Sequence, residues 1–231
     1  MKTHERIIVL GVTATGKSQW VKSLLAGELR RGSRVVALDC TDEYSQLAQH
    51  ADGRKGPLAQ RMTASTLARE AQAGRCPFLQ PRFSIAVVPD DMTSTRSSAQ
   101  AFELTASLLC FTPNPCIIVA DEAHRWAPHA LERLNDCATV GGQHWGAGCA
   151  LIVVSQRANR VPLTVRSQAS TIVSFRQTEV ADLKALEERC GEQFASRVRG
   201  LPDHAFEVWT PTTQSPQAAA EPAEQSKEKA V

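Results

Sequence analysis

The sequence has no Cys-x-x-Cys pair, no long apolar run, no excess of either charge and no internal repeat, and each absence removes a class of protein. Its seven cysteines (Cys40, Cys76, Cys110, Cys116, Cys137, Cys149, Cys190) form an odd set. That suits neither a disulfide framework nor a zinc ribbon, and points to a reducing, cytoplasmic compartment. His124, His129, Cys137, His144 and Cys149 follow no common zinc spacing. The longest apolar runs, Ile117 to Ala120 and Cys149 to Val154, fall far short of the roughly 20 residues that cross a bilayer. Behind MKTHER only IIVL precedes Gly11, which is too short for a secretory core, so we expect no export signal. With 26 Lys and Arg against 24 Asp and Glu, the formal charge is +2. Contact with a polyanion must therefore come from local patches.

What remains is a chain of 231 residues, 42% hydrophobic and 22% charged, enough for one domain of about 200 residues and a tail. Short apolar runs (Ile7 to Leu10, Arg34 to Leu38, Ser84 to Val88, Ile117 to Ala120, Leu151 to Val154, Thr171 to Phe175) alternate with longer helical stretches at Lys17 to Arg30, Ser97 to Cys110 and Val180 to Cys190. That order predicts an α/β domain over 1–210, a mainly parallel sheet flanked by helices, with Ala205 to Trp209 as a closing strand. Residues 211–231 have one Val and no other bulky apolar side chain; they cannot offset the entropy of ordering and are expected to be a flexible tail.

Residues 11–18 read GVTATGKS, a G-x-x-x-x-G-K-[ST] string between an expected strand and an expected helix. The glycines let the backbone curl so that its N–H groups face phosphate oxygens, and the helix N-terminus adds its positive dipole end. Gly11, Val12, Thr13, Ala14, Thr15, Gly16, Lys17, Ser18 and the following Gln19 are thus the expected nucleotide-binding residues. Lys17 would reach the β- and γ-phosphates and Ser18 would ligate Mg²⁺. A second strand ends in Asp121 and Glu122, placed to complete the Mg²⁺ shell and to act as general base on the attacking water. A third ends in Ser155 and Gln156. In a parallel sheet all C-terminal strand ends share one edge, which would bring Gln156 to the γ-phosphate. The expected cofactors are ATP and Mg²⁺.

Taken together, these segments resemble the FtsK/HerA superfamily of ring-forming, DNA-pumping ATPases over about residues 6–209. VVALDCTDEYSQL (35–47) resembles the family's strand with an acidic turn, and DEAHRWAP (121–128) its Asp-Glu-Ala-His segment. SQRANRVPLTVRSQASTIVSFRQTEVADLKAL (155–186) is similar to its sensor Gln, Arg, Pro and following helix, and RGLPDHAFEVW (199–209) to its closing strand. The DEAH letters would also suit a superfamily-2 helicase, but a single RecA-like domain does not supply that family's second lobe.

The resemblance implies a RecA-like P-loop NTPase working as a ring, a hexamer, on double-stranded DNA. A motor domain of this size is most similar to the genome-packaging ATPases of tailless, membrane-containing double-stranded DNA viruses, with a capsid vertex or portal protein as partner. The filamentous-phage morphogenesis ATPases are similar but carry a transmembrane helix. A nucleotide-dependent switch or assembly protein is the alternative from another class. Many family members carry a trans-acting arginine in a Gly-Arg-Lys-x-Gly turn, where this chain has Gly142, Gln143, His144, Trp145 and Gly146. Arg133, Arg157 and Arg160 are the candidates to replace it, and the 142–146 turn could equally be a packed one. The stretch from 54 to 82 has six cations (Arg54, Lys55, Arg61, Arg69, Arg75, Arg82), one anion and several Gly and Pro. We read it as a surface insert contacting DNA phosphates, with Arg54, Lys55 and Arg61 foremost.

Overall fold

The computed structural model describes residues 1–45, 47–49, 55–57 and 59–211, the two three-residue pieces by backbone alone. Arg54 and all but the first residue of the expected tail lie outside them. β1 (Arg6–Leu10) leads into α1 (Lys17–Arg30) and β2 (Arg34–Leu38), and a small antiparallel pair follows, β3 (Leu47–Gln49) with β4 (Lys55–Pro57). Next come β5 (Gln60–Thr63), α2 (Ala64–Gln72), β6 (Ser84–Val88), α3 (Thr95–Leu109) and β7 (Cys116–Ala120). Three helices, α4 (Ala123–Trp126), α5 (Leu131–Thr139) and α6 (Gly141–His144), precede β8 (Cys149–Ser155). The chain continues through α7 (Leu163–Ser167), β9 (Thr171–Phe175), α8 (Val180–Cys190), α9 (Glu192–Arg199) and β10 (Phe206–Trp209).

Eight strands form one sheet in the order β10-β9-β1-β8-β7-β2-β6-β5, all parallel except β10, which runs antiparallel to β9. The central strands carry continuous apolar runs, such as Ile7 to Leu10 and Ala150 to Val154, because both faces are covered. Ile8, Leu10, Val36, Ile118, Leu151 and Val153 face the layer that contains α3, α5, α8 and α9. Their alternates Ile7, Val9, Val35, Ile117, Ile152 and Val154 pack with Val21 and Leu25 of α1. All seven residues of β8 are buried, and β8 lies between β1 and β7. Among the described residues no helix is long and apolar enough to cross a membrane.

One expectation needs correcting. The 54–82 stretch is not a surface insert throughout: Gln60 to Thr63 is the edge strand, paired in parallel with β6. α2 then begins under a Thr63 cap that accepts the Thr66 N–H at 3.3 Å, and Leu67 is fully buried. The glycines and prolines that flank this region punctuate it without excluding a strand and helix between them.

Candidate functional site

The C-terminal sheet edge gathers the ends of β1, β2, β7, β8 and β9. After β1 the chain curls at Gly11, where a Cβ would sit 2.6 Å from that of Phe175, and at Gly16, with φ 102°. Both positions require glycine. The loop is braced from within, since the Thr15 hydroxyl and the Lys17 ammonium donate to the Val12 carbonyl at 2.8 and 2.9 Å. It is tied to β9 by the Val12 N–H donating to the Arg176 carbonyl at 3.3 Å. α1 has no side-chain cap and no acid in its first turn, which leaves its leading N–H groups for an anion. Lys17 is 6% exposed; burial lowers its pKa, against the opposing pull of Glu122, Asp121 and Glu43.

Asp121 ends β7 and is 2% exposed. Its Oδ2 accepts from the Thr41 hydroxyl at 3.3 Å, while Oδ1 is buried without a partner. Its carbonyl accepts from the Trp126 indole at 2.8 Å, which fixes the turn. Burial raises the Asp121 pKa well above the usual carboxylate range, helped by the negative charge of Glu122, Asp39 and Glu43. A buried carboxylate with an orphaned oxygen, facing other acids and one lysine, fits a divalent cation. Glu122 follows in the left-handed region, φ 48°, which aims its side chain across the edge toward β8.

Gln156 connects the parts. Its Nε2 donates to both Glu122 oxygens, at 3.2 and 3.0 Å, and its Oε1 accepts from the Thr13 hydroxyl at 3.1 Å. The carboxamide therefore spans from the phosphate loop to the expected base. The reason is topological: with β8 between β1 and β7, its end must fall between theirs.

Several site residues were given no role at the nucleotide edge by the sequence reading. His124 lies with Nδ1 3.4 Å from Glu122 Oε2 and accepts from the Gln156 N–H at 3.4 Å, with its pKa lowered chiefly by burial. Asp39, fully buried, accepts from the N–H groups of Glu43, Tyr44 and Ser45 at 2.8, 2.9 and 3.4 Å, shaping the acidic turn that delivers Thr41. The His of DEAH and the Thr of DCTDEY were in plain view; what was missing was the strand order that brings them together.

The arginine candidates separate. Arg157 is bound to the buried Asp182 at 2.7 Å, a carboxylate that also accepts from the Asn159 N–H at 2.9 Å. Arg157 thus serves its own chain. Breaking a buried pair strands its other charge, but Arg157 is one-third exposed and the Asn159 N–H would remain. We expect Arg157→Ala to cost about 2 kcal/mol, read as a lower urea midpoint; an unchanged midpoint would return Arg157 to the candidates. Arg160 is exposed in the loop after Gln156. Arg133 lies over the Trp145 ring at 5.8 Å, near the start of β8 and away from the phosphate loop. The 142–146 turn is packed: Trp145 is 6% exposed, and a Cβ on Gly146, at φ 51°, would meet the Thr112 carbonyl oxygen at 2.1 Å. Of the proposed DNA contacts, Lys55 is on β4 and Arg61 pairs with Asp42 at 3.1 Å.

No protein-family model and no curated protein matches the sequence. Solved structures do. The genome-packaging NTPase B204 of Sulfolobus turreted icosahedral virus 2, in complex with AMP, aligns over 93% of this chain and 96% of its own, with 17% identity and a TM-score of 0.62. The DNA-packaging ATPase B204 of Sulfolobus turreted icosahedral virus aligns over the same shares, at 17% identity and 0.63. The bacterial conjugative coupling protein TrwB aligns over 90% of this chain and 82% of its own, at 12% identity and 0.61. The chain has the RecA-like P-loop fold. The expected likeness to FtsK/HerA-type packaging ATPases is thus met in architecture. The RecA-like fold also accounts for the sheet edge: its strand order puts the phosphate loop, the acidic strand end and the polar sensor position side by side.

Proposed function

We propose that the chain is an ATP-hydrolysing motor that moves double-stranded DNA, and that its task is to drive a viral genome into a preformed capsid. The observation that carries this reading is the Gln156 bridge from Thr13 to Glu122, which joins phosphate loop and base in one bonded unit. In this scheme the loop N–H groups and Lys17 take the phosphates. Ser18 and Asp121 would hold Mg²⁺, which when bound would supply charge neutralisation to the phosphates. Glu122 accepts the proton of the attacking water, and Gln156, bonded to Glu122, orients that water. The near-complete mutual coverage with two packaging ATPases supports the viral role, and the likeness to a conjugative coupling protein supports a DNA motor more broadly.

The chain would work in the cytoplasm as a hexameric ring docked on a capsid vertex or portal protein. In this reading the trans-acting arginine is Arg133 or Arg160, reaching the γ-phosphate of a neighbouring copy. DNA phosphates would be met by Arg54, Lys55 and Arg61, the last exchanging Asp42 for phosphate. The test is steady-state ATPase activity with and without linear double-stranded DNA across a salt series. Stimulation that fades as salt rises is expected, since phosphate contacts release counterions. A rate indifferent to DNA at every salt would overturn the motor and leave a nucleotide-driven switch.

A further inference from the structure

Gln177 follows the end of β9 and is 0% exposed, between a half-buried Arg176 and an exposed Thr178. Its Nε2 donates to the Gln156 carbonyl at 3.3 Å, and its Oε1 is buried with no partner among the described residues. The acceptor is a carbonyl oxygen, so the amide nitrogen must face it and the amide oxygen must point elsewhere. β1 lies between β9 and β8; the Gln177 side chain therefore reaches across the end of β1, where the phosphate loop begins. One residue earlier, the Arg176 carbonyl accepts the Val12 N–H at 3.3 Å. Two consecutive residues thus hold both halves of the site, one the phosphate loop and the other the backbone of Gln156.

Stability does not account for a glutamine here. A buried amide with one hydrogen bond and an unpaired oxygen loses more in desolvation than that bond returns. An apolar side chain of similar length would fill the space without burying an unpaired oxygen. A buried polar group left part-satisfied calls for a role beyond packing. The Gln156 backbone is also held on its other side, where its N–H donates to His124 Nδ1 at 3.4 Å. The residues after it are pinned separately by Asp182, which accepts from Arg157 Nε at 2.7 Å and from the Asn159 N–H at 2.9 Å. With His124 on the preceding peptide and Gln177 on the following one, both planes that flank the Gln156 Cα are fixed. We propose that Gln177 is a positioning residue for hydrolysis: through the Gln156 backbone it sets the angle at which the Gln156 amide meets both Glu122 oxygens and the Thr13 hydroxyl. The inference rests on the role given to Gln156 above and adds the group that holds it there.

The experiment compares the unaltered full chain with Gln177→Leu, Gln156→Ala and the double variant. The readouts are steady-state ATPase kinetics in Mg²⁺ with linear double-stranded DNA, competition binding of a labelled nucleotide, and urea unfolding. Gln177→Leu should lower kcat about tenfold, less than the roughly hundredfold loss that misplacement by about 1 Å can bring, because Asp182 still holds the loop. KM, ATP affinity and the urea midpoint should stay as they are. Gln156→Ala should lower kcat about a hundredfold. Adding Gln177→Leu to it should change nothing further, since a residue that acts through Gln156 then has nothing left to position. Gln177→Met, unbranched and adaptable in a core, repeats the test if the leucine variant does not fold. A normal kcat in either variant overturns the inference. So does a loss that persists undiminished in the Gln156→Ala background, or one that comes with a raised KM or a lowered urea midpoint, which would make Gln177 a structural residue only. If Gln156→Ala itself turns over ATP normally, or the unaltered chain hydrolyses none, the reading of Gln156 falls, and this one with it.

Discussion

Glu122→Gln is expected to keep ATP bound and to lower its turnover about a thousandfold, the range set by loss of a positioned general base. The substitution is nearly isosteric. The introduced carboxamide retains one carbonyl oxygen that can accept from Gln156 Nε2, where the native carboxylate accepts on both oxygens at 3.2 and 3.0 Å. The left-handed backbone at this residue, φ 48°, is inherited unchanged. What is lost is the basic carboxylate, with one acceptor for Gln156 and the negative charge beside Asp121 and Lys17, while the phosphate loop is untouched, so the defect should fall on kcat with KM little altered. Single-turnover hydrolysis beside equilibrium binding separates the two. Normal turnover in the variant would remove Glu122 from the reaction and with it the role of the Gln156 bridge.

Lys17→Ala should fail at the opposite step, with ATP affinity reduced about a hundredfold, as expected when one partner of a buried charge contact is truncated. Lys17 is nearly enclosed, and its ammonium is held by the Val12 carbonyl at 2.9 Å. It is also the cation faced by Glu122, Asp121 and Glu43. Removing it withdraws the positive charge from a neighbourhood that already raises the Asp121 pKa, so incoming phosphate would meet carboxylates unopposed. Competition binding with a labelled nucleotide gives the loss directly. A variant that bound ATP normally would place the phosphates elsewhere.

The sheet was legible where burial on both faces leaves only apolar residues. β1, β2, β6, β7, β8 and β9 all stand where short apolar runs put them, and their ends carry the loop, the acidic pair and Gln156. Strand order was not legible, because nothing in a single run of Val and Ile names its neighbour. It is order that sets Gln156 against Glu122 and Thr13, and that brings Thr41 from the end of β2 to Asp121. β5 and α2 were missed for a different reason. QRMT offers only one strongly apolar side chain, since an edge strand needs little, and its neighbours Gly56, Pro57 and Gly74 read as interruption. The turn at 142–146 was left open by sequence because Gly, His and Trp suit exposure or packing equally; the contact of Gly146 with Thr112 decides it.

β8 is a strut. Seven enclosed residues, about 23 Å at 3.3 Å each, separate the packed turn at its beginning from Gln156 at its end, with hydrogen-bonded strands on both sides. Such an element hardly compresses, and its ends cannot shift independently. The Gln156 carboxamide is therefore registered against the strands that carry the phosphate loop and Glu122, and keeps its place with the sheet as a whole.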